Sequence, residues 1–116
     1  MRILYIILMM CLCQFSKAQT RLDYFLTEAT ESRMQGQWSR AFDLYRHCLE
    51  IDSSSPEALF QLGRMYFYLR QDSVGLDYMY RSVELDSSNV YYIEPLAAIL
   101  LRQECEDEAL PLLERI

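Results

Sequence analysis

The chain returns on itself every 34 residues. In rows beginning at Leu22, Pro56 and Val90, the run Glu50-Ile51-Asp52-Ser53-Ser54-Ser55 falls on Glu84-Leu85-Asp86-Ser87-Ser88-Asn89. Asp43 falls on Asp77, and Leu49 on Val83. One column holds Ala29, Gly63 and Ala97, and another holds Ala41, Gly75 and Ala109. A small residue at one place in every row marks a point where two backbones approach closely. Between these columns apolar residues recur at helical spacing, as in Leu59, Leu62, Tyr66 and Leu69, then Leu76, Met79 and Val83. Each row therefore reads as two amphipathic helices packed through their small residues, with no strand-like alternation.

Local chemistry marks the expected helix boundaries. Ser55 before Pro56 is an N-cap followed by proline at the first helical position, where the missing N–H costs nothing. Gly36 suits a left-handed helix end. Asp72 or Ser73 is the expected cap of the following helix, and Ser88 or Asn89 of the next. Six helices are expected, near residues 21–35, 38–51, 56–69, 72–85, 90–103 and 106–116.

A 34-residue period with these columns resembles the tetratricopeptide repeat family. The second row carries the resemblance best, through Leu59, Leu62-Gly63, Tyr66, Leu69, Leu76, Val83, Leu85 and Asp86. The first contributes Gly36, Trp38, Ala41, Tyr45, Leu49, Ile51 and Asp52, and the third Ile93, Leu96-Ala97, Leu100, Ala109-Leu110 and Leu113. The resemblance implies an all-α fold, a right-handed superhelical stack of about three helix-turn-helix hairpins. Its repeats would span 22–55, 56–89 and, incompletely, 90–116.

Some residues depart from the family pattern. Gly75 stands where the family prefers Ala, which is expected to weaken its helix by about 1 kcal/mol. Ser53 and Ser87 replace a turn proline. Glu28 occupies a usually apolar column, so the first helix is expected to pack loosely. Pro95 would clash with the carbonyl of Tyr91, so the fifth helix is expected to start late, near Glu94, or to kink. Pro111 is expected to sit harmlessly in a first turn. The third row stops at Ile116 inside an apolar helix with Leu110, Leu112 and Leu113. Terminal repeats normally carry a polar face. This one reads either as the front of a longer repeat protein or as a self-associating end.

The amino terminus reads as a secretory signal, residues 1–18. Arg2 gives a positive start, and Ile3 to Cys13 is an unbroken apolar run. As a helix that run rises about 16 Å, short of a hydrocarbon layer roughly 30 Å thick. Ser16 and Ala18 place small side chains for a cut before Gln19, leaving no stable membrane span. The expected location is exported, periplasmic or outer-membrane-associated in a bacterium. Removing residues 1–18 takes Arg2 and Lys17 from the 11 basic residues and none of the 17 acidic ones, so the net charge moves from −6 to −8. An acidic chain is a poor partner for nucleic acid.

Catalytic chemistry is sparse. His47, the single histidine, lies one turn after Asp43, which is positioned to accept its hydrogen bond. Its column is shared with Arg81, and a solvated helix face is the reading taken. Cys48 shares a small, half-buried column with Ser82, and Cys105 lies in the loop after the fifth helix. These thiols with His47 have no zinc-site spacing, and no phosphate loop or hydrolase motif occurs. Glu104, Glu106, Asp107 and Glu108 open the last helix, where acids complement the dipole. No enzyme activity, metal or cofactor is expected.

In the family the resemblance points to, first helices line a concave groove. By column, Leu26, Thr30 and Arg33 would face it from the first row, and Glu57, Phe60, Arg64, Phe67 and Tyr68 from the second. Tyr91, Ala98, Leu101 and Arg102 would follow from the third. Phe60, Arg64, Phe67, Tyr68, Tyr91, Leu101 and Arg102 are the expected partner-binding residues, with aromatic and Arg anchors for a peptide or helix of another protein. The competing reading has Phe60 and Phe67 simply packing between first helices. The Lys/Asn clamp that some family members close on a terminal carboxylate is absent, since its columns hold Leu26, Thr30, Gln61, Tyr91 and Pro95. The expected function is a non-catalytic interaction scaffold of the cell envelope. Alternatives are the amino-terminal repeat arm of a longer enzyme or signalling protein, and a self-associating structural module.

Overall fold

The structure, a computed structural model, describes residues 1–116. It is all-helical: α1 (Arg2–Met34), α2 (Trp38–Ile51), α3 (Pro56–Tyr68), α4 (Asp72–Leu85), α5 (Val90–Arg102) and α6 (Glu106–Leu113). Consecutive helices pair as hairpins, α1 with α2, α3 with α4, and α5 with α6.

Helix ends follow the 34-residue period. Gly36, Arg70 and Glu104 all take left-handed backbone, with φ of 77°, 61° and 61°. At each, two bonds run back into the closing helix: Gly36 N to Arg33 O and Gln37 N to Ser32 O, then Arg70 to Phe67 and Gln71 to Tyr66, then Glu104 to Leu101 and Cys105 to Leu100. These are Schellman ends, and they satisfy carbonyls the helix leaves unpaired. Glycine supplies the conformation only in the first row.

Helix starts differ between rows. Ser55 accepts a bond from Ala58 N at 3.4 Å and Asn89 from Tyr91 N at 3.0 Å. The equivalent position in the first row is Arg21, which cannot cap, and no Gly or Pro precedes Gly36. α1 therefore runs unbroken back to Arg2 rather than starting near residue 21. α1 meets the length and composition of a membrane-crossing helix or a signal sequence: an 18-residue window has mean hydropathy 1.4 and none of it is buried. The caps expected at Asp72 or Ser73 are not used, since Gln71 holds the N-cap position without a side-chain bond.

Both prolines sit inside their helices, and α5 does not start late. α5 starts at Val90, capped by Asn89, and continues through Pro95. Burial of Ile93, Leu96 and Leu100 along one face holds both sides of the proline together. Pro111 is the sixth residue of α6, beyond its first turn.

The chain divides into two compact units, Met1–Ser53 and Ser54–Ile116. In the first, Ala29 and Ala41 are fully buried, and the hydroxyls of Thr30 and Tyr45 meet at 3.1 Å. Glu28 is not a packing defect, because Arg40 lies 3.3 Å from its carboxylate. His47 Nδ1 pairs with Glu50 at 3.1 Å and not with Asp43, while the ring meets Phe25 edge-on at 4.4 Å. Cys48 is fully buried, more than half-buried as its column suggested.

In the second unit α3 and α4 cross at two glycines. A Cβ on Gly63 would lie 2.8 Å from the Gly75 carbonyl oxygen, and one on Gly75 would lie 2.7 Å from that of Gly63 and 3.0 Å from Phe67 N. Glycine at 75 is thus required by contact and is not a weakened alanine. Ser82, fully buried, donates to the Pro56 carbonyl at 2.9 Å and closes the open end of the same pair. α4 also packs on α5, where Phe60, Met79, Val83, Ile93, Leu96, Leu100 and Leu112 join one core. Full burial of each such side chain stabilises by about 1.5–3 kcal/mol. Leu69, expected on the apolar stripe, is instead the C-cap of α3 and 61% exposed.

Candidate interaction cleft

A cleft of about 640 Å³ opens in the second unit. Helix α3 contributes Phe60, Arg64, Phe67 and Tyr68, and α5 contributes Tyr91, Pro95, Ala98, Ile99 and Arg102. Both sets follow i, i+4, i+7, i+8 spacing, so each helix presents a single stripe. Arg70 enters from the turn between α3 and α4, and Asp72 from the first residue of α4.

Six of the seven expected groove residues meet here: Phe60, Arg64, Phe67, Tyr68, Tyr91 and Arg102. Leu101 does not. At ten positions after Tyr91 it falls off the α5 stripe and is 44% exposed outside the cleft. Phe60 is fully buried and belongs to the core, so the packing reading holds for it, while Phe67 is partly buried against that core. Leu26, Thr30 and Arg33 belong to the first unit.

The back of the cleft is held by tilted aromatic contacts and a partly buried polar network. The Phe60 ring lies 5.1 Å from Tyr91 and 5.0 Å from Tyr92, and the Arg64 guanidinium sits 5.5 Å over it. Gln61, itself buried, donates from Nε2 to Glu57 at 3.0 Å and to the Tyr91 hydroxyl at 3.1 Å. Tyr92 donates to the other Glu57 oxygen at 3.0 Å. Burial first, and then the Glu57 carboxylate, push the Tyr92 phenol above its ordinary range. These bonds fix the Tyr91 ring, half of which faces solvent, before any ligand arrives.

The cleft is cationic on an acidic chain. It carries Arg64, Arg70 and Arg102 against the single acid Asp72, whereas the whole chain is net −6. None of these guanidinium groups is ion-paired within the molecule. Sequence reasoning confined to first helices missed Arg70 and Asp72. The signal that could have found Arg70 is its column, shared with Gly36, which placed it in the turn at the mouth of the groove.

Other chemistry is sparse. Burial pushes the Cys48 thiol up to about 11, which leaves it unreactive at neutral pH. Cys105 is partly exposed and its sulfur lies 3.6 Å from the Gln103 carbonyl. In the acidic opening of α6, Glu108 accepts a 2.6 Å bond from Tyr80. No cluster of three or more His, Cys, Asp or Glu has the arrangement of a metal site.

Among solved structures the chain is similar to one described as the crystal structure of MamA. The TM-score is 0.69 and the identity 11%, over 81% of this chain and 55% of that one, so this chain spans about half of MamA's length. No family model matches the sequence, and none of the curated proteins is significantly similar to it. The likeness to MamA together with the six-helix architecture shows a tetratricopeptide-like helical repeat fold.

Proposed function

We propose that this chain is a non-catalytic protein-interaction scaffold that takes a peptide or helical segment of another protein in the α3–α5 cleft. The observation that carries this reading is the cleft itself, where exposed Tyr68 and Tyr91 and three unpaired arginines line a concavity with a pre-ordered back wall. Rigid aromatic and Arg side chains at a concave site are the groups that dominate protein interfaces. The repeat fold supports the same reading, since its hairpins present surface without building a reaction centre.

The test is affinity capture from envelope extract with wild type beside Arg64→Ala/Phe67→Ala, each checked for helical content. Loss of at least one partner in the double variant is expected. Equal recovery of every partner by both proteins contradicts the cleft assignment.

We further propose that the chain is exported, with cleavage after Ala18. Arg2 and the exposed apolar residues of early α1 support this, as none of them is buried in the folded units. Mass spectrometry of the chain from expressing cells is expected to give Gln19 as first residue. An intact Met1 product held in the membrane fraction contradicts it. Self-association is the second reading, favoured by Leu110, Leu113 and Ile116, which lie exposed near the end of α6. Sedimentation of the processed chain decides it, and a monomer at high concentration removes it.

A further inference from the structure

We infer that the occupant of the cleft is an acidic peptide segment, one whose Asp or Glu side chains meet Arg64, Arg70 and Arg102 while an apolar side chain packs on Phe67 and Tyr91. This rests on the cleft being the binding site and adds the chemistry of its partner.

Charge balance carries the inference. Three guanidinium groups gather in the cleft against one acid, and of the chain's ten arginines only Arg40 finds a carboxylate, that of Glu28. The three cleft arginines do not, although the chain supplies 17 acids. Arg64 lies over the Phe60 ring, which orients the guanidinium without neutralising it. Arg70 stands at the left-handed turn after α3, and Arg102 sits in the last turn of α5, where the helix dipole favours a cation. A guanidinium presents paired donors that match a carboxylate. Against Asp72, the one acid in the lining, the three arginines leave the cleft net positive, which disfavours basic ligands. The volume, about 640 Å³, admits a few side chains.

The test is selection of a random-peptide phage library on the full chain, followed by anisotropy titration of enriched peptides. Enrichment of Asp- and Glu-rich sequences is expected. Replacing their acids by Asn and Gln is expected to weaken binding roughly tenfold, as is Arg64→Gln or Arg102→Gln in the protein. Arg81→Gln, an equal change in net charge outside the cleft, is expected to leave affinity unchanged. Enriched peptides that are neutral, insensitive to the arginine variants but lost with Phe67→Ala or Tyr68→Ala, overturn the acidic inference and leave the cleft as the binding site. Failure to enrich any peptide, or binding indifferent to every cleft variant, overturns both. Tighter binding of single-stranded DNA than of any peptide overturns the peptide assignment.

Discussion

Gly63 and Gly75 show how one contact reverses a propensity rule. Alanine is the better helix former by about 1 kcal/mol, but a methyl group at either position meets backbone oxygen below 3.0 Å. Gly75→Ala is therefore expected to destabilise by about 1–3 kcal/mol, the cost of overpacking. Chemical denaturation checks this, and an unchanged or raised midpoint contradicts the close crossing. The opposite holds at Glu104, a non-glycine residue at φ 61°. Glu104→Gly is expected to stabilise by about 1 kcal/mol by relieving left-handed strain, read by the same denaturation midpoint. Both small-residue columns were legible in the sequence, because repetition displays a steric limit three times. The direction of the Gly75 effect was not, since only coordinates distinguish a tolerated glycine from a required one. His47 is similar: Asp43 and Glu50 both lie within helical reach, and side-chain geometry selects Glu50.

Helices were readable from period and caps, and their errors have physical causes. The α1 start was misplaced because a capless first row gives the chain no reason to stop at residue 21. Pro95 was expected to delay α5 or to kink it; the helix is not delayed, because Asn89 caps its first turn and Ile93 and Leu96 bury the residues on both sides of the proline. The α3–α5 polar network was hidden from sequence, since it joins Glu57 and Gln61 to two tyrosines a row away. It has a pH signature. Tyr92 and Tyr80 are raised in the folded state, chiefly by burial. Above the unfolded phenol value, about 10, the unfolded chain loses the proton first, so stability present at neutral pH falls as pH rises. Thermal melts are expected to hold steady from pH 7 to about 9 and to drop above about 10, once the reference tyrosine value is passed. Tyr92→Phe is expected to flatten that drop while costing about 1–2 kcal/mol at pH 7 through the lost Glu57 bond. An unaltered alkaline limb in Tyr92→Phe contradicts this role. Cys48, raised to about 11, is expected to resist Ellman's reagent in the folded chain at pH 8 while Cys105 reacts.

At the scale of the molecule, repetition that makes the fold legible also explains why the cleft was partly found. Stripe positions 60, 64, 67 and 68 follow from helical spacing on α3, and 91, 98 and 102 on α5. Leu101 was misjudged by one rotational step, and Arg70 in the α3–α4 turn and Asp72 at the start of α4 lie outside the stripe of the first helices. What repetition cannot encode is the charge asymmetry, because the three arginines occupy unrelated columns and become a group only in the fold. The most direct measurement is an NMR titration of the processed chain with a partner segment obtained by capture or selection. Shifts are expected in the guanidinium signals of Arg64 and Arg102 and the ring signals of Phe67, Tyr68 and Tyr91, with α2 and α6 unmoved. Shifts confined to α2 or α6, with those cleft signals silent, would contradict a binding role for the cleft.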